Sequence, residues 1–458
     1  MALWDRFLGN GSTGRSDGRS RKRKSFAQER PQIRLPKPSR RAIALLLGTG
    51  LLAYGAGSSA AVNVFHTRAP ELALTLDGND PVALVRDAQL RIDAGEMTQG
   101  GTAGILAVVR ESVAELPING PAFRLYGLSS AANSDLPGVR RQMALSDRLE
   151  RRDLATQLWL IEDAVERNDI AGALGHYDKA LRIRESSRAI LYPVLTEAMK
   201  SPLIRTRFVA YMQDPPPWME SFLRYAVSNS DDPVAIAELA REAGGFPEGA
   251  AFATRDTELL RQLVATDEYE TAIAHYRRIR GADPDVLTSL ALTENATASG
   301  LAPISWQPFE IAGIEPYVLA ARDGDGVEIE ADLEAGYKGP LARKLLALPA
   351  GGYALEAEMR AEDFSRGDVV RWSISCAKAE SGEALLALEA PVEEQFEIAG
   401  RMNVPEGCPV QTVRVDAVTR VASGYVKIVL ADAAIVSAAP LNTRGPDATT
   451  DDGVTDAD

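Results

Sequence analysis

The sequence has few of the residues on which densely cross-linked or metal-rich proteins depend. Of its 458 residues, two are cysteine and three are histidine, and aromatic residues make up 6%. Two cysteines exclude a disulfide-dense scaffold and a cysteine-rich zinc array. With 45% hydrophobic and 25% charged residues, the chain is neither disordered nor collagen-like, and it is long enough for two or three domains.

Catalytic motifs are also missing. The sequence contains no GxxxxGK[ST] phosphate loop, no HExxH and no GxSxG, and three histidines leave few bases for a Ser-His-Asp arrangement. Asp323-Gly324-Asp325-Gly326 lacks the other oxygen ligands of an EF-hand loop and is typical of a hairpin turn. We therefore expect no enzymatic activity, no cofactor and no metal site, with a pair of strand carboxylates as the catalytic alternative.

Charge divides the chain into two parts. Residues 1–41 contain 12 Lys and Arg against 3 Asp and Glu, a net +9, although the whole chain carries -14. This segment is rich in Gly, Ser, Pro and Arg, so we predict that it is disordered, as is the acidic tail at 441–458. Nucleic-acid binding is an alternative for such a basic run. Its closeness to an apolar stretch favours anionic lipid headgroups instead, at ~1 kcal/mol per nearby cation, and we expect no nucleic-acid partner.

The apolar stretch covers residues 42–65 and has no charged side chain. As a helix its 24 residues would span roughly 36 Å, enough for a hydrocarbon core of ~30 Å. Because positive flanks stay on the cytoplasmic side, we predict a single-pass inner-membrane anchor with a cytoplasmic N-terminus and periplasmic C-terminal domains. The alternatives are a cleaved signal peptide, with small residues at Ser58-Ser59-Ala60, and a buried helix of a soluble protein.

Residues 66–300 are dominated by helix-forming residues, with breaks such as those at 135–138, 214–217 and 244–247. Two segments in this region, 99 residues apart, share one spacing. Each has a Leu, then a small residue 13 positions later, followed by a tyrosine and a second small or apolar residue on one helix face. The first segment holds Leu160, Ala173, Tyr177 and Ala180, and the second holds Leu259, Ala272, Tyr276, Ile279 and Pro284.

This spacing resembles the tetratricopeptide (TPR) pattern, in which the small residue lets two helices approach and the aromatic ring fills the groove between hairpins. Both segments depart from the pattern, with Ile161 and Leu260 where Gly is usual. The resemblance implies a TPR-like helical array whose concave surface holds a protein partner. A rigid spacer is the alternative. His176 and His275 precede the two equivalent tyrosines, and we interpret both as structural.

From residue 301 to 440 the pattern changes to alternation of apolar and polar residues. Five such segments, at 327–333, 353–359, 370–376, 410–415 and 425–430, are separated by turn residues and predict an antiparallel two-layer β-sandwich. Both cysteines fall here. Outside the cytoplasm Cys376 and Cys408 can form a disulfide, closing a loop worth roughly 3 to 4 kcal/mol, with two free buried thiols as the alternative.

The sandwich segment resembles jelly-roll domains, similar to carbohydrate-binding modules, that follow TPR-like regions in bacterial envelope proteins associated with surface polysaccharides. The residues that carry the resemblance are Trp306 with Phe309, 348–353, 372–376 and 403–411. Exposed aromatic rings stack on sugars, so Trp306, Tyr317 and Tyr337 are the candidate glycan contacts. Trp372 alternates in phase with Ile374 and is expected in the core.

These observations combine into one expectation. The chain is multidomain α + β, with a basic segment (1–41), a transmembrane helix (42–65), a TPR-like region (66–300), a jelly-roll-like sandwich (301–440) and an acidic tail (441–458). The resemblance implies a non-enzymatic envelope scaffold or adaptor that supports surface-polysaccharide assembly or export by binding a protein and a glycan. A carbohydrate-active enzyme and a structural spacer are the alternatives.

Overall fold

The computed structural model describes residues 40–94, 101–131, 135–322, 324, 326–378, 384–421 and 424–439. The basic segment before residue 40 and the acidic tail, both predicted to be disordered, lie outside the described residues. So do Asp323 and Asp325 of the Asp-Gly turn.

In the described residues, α-helices come first and strands follow. The helices are α1 (Arg40–Phe65), α2 (Pro70–Leu76), α3 (Pro81–Asp93), α4 (Thr102–Glu115), α5 (Gly120–Ala131), α6 (Leu136–Leu149), α7 (Leu154–Glu166), α8 (Ile170–Ile183), α9 (Arg188–Ala198), α10 (Pro202–Gln213), α11 (Met219–Asn229), α12 (Pro233–Ala243), α13 (Arg255–Ala265) and α14 (Tyr269–Tyr276). The strands are β1 (Gln307–Pro308), β2 (Ile314–Ala320), β3 (Val327–Leu333), β4 (Lys338–Leu346), β5 (Gly351–Glu362), β6 (Val369–Cys376), β7 (Ala384–Pro391), β8 (Gln395–Val404), β9 (Gln411–Val418) and β10 (Val426–Ser437).

The chain divides into two compact units, one ending at Arg184 and the other beginning at Glu185. The first contains α1–α8, and the second contains α9–α14 together with the ten strands. This division falls inside the region for which the sequence predicts one helical domain, because the last six helices belong to the same compact unit as the sandwich.

In the first unit each helix packs against the next one along the chain. Several helices begin at an aspartate whose side chain accepts a hydrogen bond from a backbone N–H three residues on, as Asp80, Asp135 and Asp169 do. Such caps satisfy donors that the first turn leaves free, and each is worth about 1 kcal/mol. The turn-forming aspartates therefore set where these helices start.

The stretch from 42 to 65, predicted as a membrane span, is helical in α1. Near its C-terminal end, Val62 is buried in a cluster with Ala73 of α2 and Ala83 of α3. Over the residues that the structure describes, no helix combines the length and the apolar character needed to cross a membrane.

The two segments that share the TPR-like spacing fold into helical hairpins with the same turn. Asn168, between α7 and α8, has φ +57°, and Asp267, between α13 and α14, has φ +60°. In both turns the next residue donates its N–H to the carbonyl five positions earlier, at 2.8 Å. The two hairpins are therefore equivalent in local geometry, and membership of the TPR family stays a prediction.

Most of the residues predicted to pack these hairpins are buried. Those in the core are Ala173, Tyr177, Ala180, Leu259, Ala272 and Tyr276. Leu160 and Ile279 are half-buried, and Pro284 is exposed at the start of a short 3-10 turn. The small residue and the tyrosine are thus buried in both copies, as close packing of two helices requires.

The strands form two antiparallel five-stranded sheets. Sheet A has the order β1-β4-β9-β6-β7, and sheet B has the order β2-β3-β10-β5-β8. Side chains from the facing surfaces make the core, and Trp372 of β6 reaches across it to place its indole nitrogen 3.4 Å from the sulfur of Met359 on β5. The predicted antiparallel β-sandwich is confirmed.

A disulfide joins the end of β6 to the loop between β8 and β9. Cys376, the last residue of β6, is bonded to Cys408 in the loop before β9. The two residues are 32 positions apart, and no free cysteine remains in the chain. The predicted pairing is confirmed, and the alternative of two free thiols is excluded in this structure.

Candidate functional site

Two of the three aromatic residues predicted to contact glycan are in the core. Trp306 is 0% exposed, its indole nitrogen donates to the carbonyl of Leu290 at 3.0 Å, and its ring meets that of Trp372 edge to face. Tyr337 is 7% exposed and donates its hydroxyl hydrogen to the carbonyl of Pro340 at 2.6 Å. Neither ring can stack on a sugar, so these two predictions are wrong: both rings fill interior space.

Tyr317, the third candidate, is 42% exposed on β2, the edge strand of sheet B. The register places it opposite Glu330 of β3, and places Glu315 opposite Asp332. Since alternate residues of a strand share one face, these four side chains lie on the same face of the sheet. The hydroxyl of Tyr317 donates to Glu315 at 3.1 Å, and this hydrogen bond raises the pKa of the tyrosine.

Lys427 of β10 is the cation of this face. It lies opposite Asp332, its ammonium contacts that carboxylate at 3.6 Å, and it donates a short hydrogen bond to Glu330. The hydrogen bond to Glu330 is the main reason that the pKa of Lys427 is raised, so the ammonium stays charged over the physiological range. One lysine thus holds two neighbouring carboxylates in place.

A cleft of about 560 Å³ lies at the end of sheet B, and Glu315, Asp332 and Lys427 are among its lining residues. Its lining is Ile311, Ala312, Gly313, Ile314, Glu315, Asp332, Glu334, Asp363, Tyr425 and Lys427. Gly313 has φ +89°, and a Cβ there would lie 3.1 Å from the ring of Tyr337. A side chain at this position would therefore be strained by the positive φ and crowded by the buried tyrosine.

Tyr425 is the exposed aromatic residue that the sequence reasoning missed. It precedes β10 directly and is 72% exposed, the ring standing in the cleft wall. A signal for it was present: Val426, Ile428 and Leu430 alternate as buried residues at the start of β10, and residue 425 falls out of phase with them.

The arrangement supplies the groups that bind a polyhydroxylated ligand. Carboxylates accept hydrogen bonds from hydroxyl groups, the Lys427 ammonium donates them, and an exposed tyrosine ring offers a flat apolar surface. A cleft of this size falls within the range of small-ligand sites, about 300–1,000 Å³. Since Lys427 engages both Glu330 and Asp332, these two carboxylates are committed to holding it.

Comparison with known proteins finds no matching family model and no matching curated protein. Solved structures similar to this chain include the carbohydrate-binding module TmCBM61 in complex with β-1,4-galactotriose, at 14% identity over 29% of this chain and 88% of that one, with a TM-score of 0.22. Another is a CBM4 structure, at 14% identity over 28% of this chain and 95% of the other, with a TM-score of 0.21.

A third similar structure is the CBM22-1 xylan-binding domain of Xyn10C from Paenibacillus barcinonensis. It is 9% identical over 34% of this chain and 96% of its own length, with a TM-score of 0.24. These neighbours are carbohydrate-binding modules with jelly-roll folds, and the part of this chain that resembles them is the C-terminal sandwich.

Proposed function

We propose that the sandwich of this protein binds a glycan in the cleft at the end of sheet B. The observation that carries the proposal is that the exposed Tyr425 lines the same cleft as several carboxylates and Lys427. Tyr317 adjoins the same cleft through its hydrogen bond to Glu315. An exposed ring beside fixed donors and acceptors is what a sugar with one apolar face and several hydroxyl groups requires.

The proposed activity is binding without catalysis. Glycoside hydrolysis needs one protonated carboxyl group and one free carboxylate on either side of the scissile bond. In this face Lys427 lies between two carboxylates and hydrogen-bonds one of them, which favours a fixed polar surface over a proton donor. A carbohydrate-active enzyme with carboxylates on the sandwich is the alternative.

The wider role that we propose is a membrane-anchored scaffold of the cell envelope that supports surface-polysaccharide assembly or export. The uncharged residues 42–65 behind a basic segment support a single-pass inner-membrane anchor with the folded domains in the periplasm. A disulfide between Cys376 and Cys408 is typical of such an oxidising compartment. The helical hairpins would hold a protein partner.

Binding of the full chain to an array of oligosaccharides of three to six sugars tests the glycan proposal. We expect the wild-type protein to retain a subset of them, and the Tyr425→Ala variant to bind that subset about tenfold more weakly. Tyr126→Ala is the matched control, because Tyr126 is also a partly exposed tyrosine but lies in the other compact unit. Binding that is equal in the Tyr425→Ala variant, or absent in wild type, would contradict the proposal.

Two further measurements separate the alternatives. Release of new reducing ends from the bound oligosaccharides would show an enzyme and overturn the non-enzymatic role. A reporter that is active only in the periplasm, fused after residue 458, should be active if the anchor has the proposed orientation. An inactive reporter with a matching cytoplasmic signal would reverse the topology.

A further inference from the structure

The first of the two equivalent hairpins has a cluster of polar side chains that includes a carboxylate from the preceding helix, α6. Nδ1 of His176 lies 2.8 Å from the amide oxygen of Gln157, whose amide nitrogen donates to Asp147 at 2.7 Å. Lys179 donates to the other oxygen of Asp147, also at 2.7 Å. Burial opposes ionisation of Asp147, but these hydrogen bonds from Lys179 and Gln157 lower its pKa overall. The ammonium of Lys179 is thus neutralised by a carboxylate of the helix that precedes the hairpin, α6.

The second hairpin repeats the histidine and the cation but not this carboxylate. Ninety-nine residues on, Asp256 replaces Gln157 and accepts from His275 at 2.9 Å, and Arg278 stands where Lys179 would be. Arg278 donates to the carbonyl of Ala274 at 3.0 Å. Within the described part of the chain, no carboxylate lies within 4 Å of its guanidinium.

The helix that precedes each hairpin explains why only the first hairpin has this carboxylate. In the first hairpin the carboxylate comes from near the C-terminal end of the preceding helix, α6. The helix that precedes the second hairpin, α12, has Arg241 near its end and is followed by a loop that places Phe246 against the ring of His275, with centroids 6.1 Å apart. The residue 99 positions after Asp147 is Phe246, so an aromatic residue replaces the acid in the second hairpin.

A cavity of about 760 Å³ opens at this place, between the end of α12, the loop at 244–254, α13 and α14. Its other cations already have partners: Arg241 is paired with Glu238 at 2.5 Å and Arg280 with Glu248 at 2.6 Å. Arg278 lines the same cavity, and Phe246, Phe252 and Ile279 supply its apolar walls.

We propose that this cavity binds the carboxylate of an acidic peptide, which takes the place on Arg278 that Asp147 takes on Lys179 in the first hairpin. A planar guanidinium binds a carboxylate through two parallel hydrogen bonds and so fixes its orientation. An apolar residue next to the acidic one packs against Phe246 and Phe252. The inference deepens the partner-binding role proposed for the helical hairpins and rests on it.

The lining favours a peptide over an acidic sugar. Two phenylalanines, one isoleucine and one proline border the cavity, and a peptide can present an apolar side chain directly beside its carboxylate. A uronic acid presents hydroxyl groups instead and has no apolar side chain to pack against these walls. An acidic peptide and an acidic sugar are therefore expected to give different results in the same binding experiment.

The test measures binding of the full chain to fluorescein-labelled hexapeptides that each contain one Asp or Glu beside one Phe or Leu. We expect a subset to bind, and to bind at least tenfold more weakly when the acid is replaced by Asn or Gln. Arg278→Ala should reduce binding by the same factor, whereas Arg278→Lys should retain part of it. Lys179→Ala, the equivalent change in the first hairpin, is the control and should leave binding unchanged.

A second variant introduces a carboxylate for Arg278 into the chain itself, in place of the one that a bound peptide would supply. Phe246→Asp is expected to pair with Arg278 and to abolish peptide binding, while circular dichroism and the unfolding temperature show that the chain still folds. The proposal is overturned if no peptide binds the wild-type protein, if Arg278→Ala binds as well as wild type, or if oligogalacturonate binds with the same dependence on Arg278 while the peptides do not.

The peptide-binding experiment tests the Arg278 site independently of the proposed glycan site. Tyr425→Ala should weaken oligosaccharide binding about tenfold and leave peptide binding intact, and Arg278→Ala should weaken peptide binding and leave oligosaccharide binding intact. Loss of peptide binding alone would thus reject the inference about Arg278 without touching the glycan proposal.

Discussion

The ammonium nitrogen of Lys344 lies inside the sandwich, 2.9 Å from the carbonyl oxygen of Ile304. The side chain is fully buried, and on β4 it stands opposite Val413, a core residue of β9. Burial lowers the pKa of Lys344 from 10.5 to about 7, because a charged ammonium loses its hydration there. The core of sheet A thus contains an amino group whose hydrogen-bond partner is an uncharged carbonyl.

Replacing Lys344 by methionine should stabilise the protein at neutral pH and change its pH dependence. Between the folded pKa of about 7 and the unfolded value of 10.5, the unfolded chain binds more protons than the folded one. The free energy of unfolding of wild type should therefore rise with pH across that window, by at most ~1.4 kcal/mol per pH unit. In the Lys344→Met variant this contribution is absent.

Denaturant titrations at pH 7, 8 and 9 measure this effect. We expect the variant to be more stable by about 2 kcal/mol at pH 7, after subtraction of the lost hydrogen bond, with the advantage shrinking as the pH rises. Lys338→Met, at the exposed start of the same strand, is the control and should show no such trend. A stability difference that stays constant with pH would contradict the lowered pKa.

The disulfide between Cys376 and Cys408 should stabilise the sandwich against unfolding. Replacing both residues by serine removes the restraint on a segment of 32 positions, and the expected loss is about 3 kcal/mol in the free energy of unfolding. Denaturation with and without reductant measures it. Reductant should bring wild type to the stability of the double variant and leave the double variant unchanged.

Trp306 should behave as a core residue. Trp306→Ala is expected to cost about 3–5 kcal/mol of unfolding free energy, because it leaves a large cavity beside Trp372. Trp306→Phe keeps most of the volume but leaves the carbonyl of Leu290 without its donor, at about 1–3 kcal/mol. Tyr317→Ala, on the surface, should fall within about 0.5 kcal/mol of wild type. Equal effects at the two positions would show that Trp306 is not buried.

Because Asn168 has a positive φ, we expect glycine and alanine at this position to change the stability of the protein in opposite directions. Asn168→Gly should be neutral or stabilising, whereas Asn168→Ala should cost about 1 kcal/mol, since a Cβ disfavours the left-handed region. The same order is expected for Gly and Ala at Asp267, its equivalent in the second hairpin. Thermal unfolding of the four variants checks this, and a more stable alanine variant in either pair would show that the turn differs from the described one.

The strands could be predicted only where one face is buried and the other is not. β3, β5, β6, β9 and β10 alternate in sequence, and the structure places strands at all five predicted segments. β4 could not be recognised in this way because residues on both of its faces are buried, where it contacts the turn at Pro284–Leu287.

The candidate site was predicted in part. Tyr317 was recognised, but Trp306 and Tyr337 were assigned to the surface because residue type alone does not tell a core ring from an exposed one. Tyr425 was missed, since only the fold of the chain brings the residue before β10 to the cleft formed with Gly313 and Glu315.

The sequence by itself determined the local features of this protein: where helices begin at aspartate caps, which strands alternate, which two cysteines pair, and that two hairpins share one spacing 99 residues apart. These follow from interactions between neighbours along the chain. The tertiary structure alone decided which aromatic rings are buried, where the carboxylates meet Lys427, and that Arg278 has no acid where Lys179 has Asp147. Such differences depend on contacts between distant segments, and local pattern does not encode them.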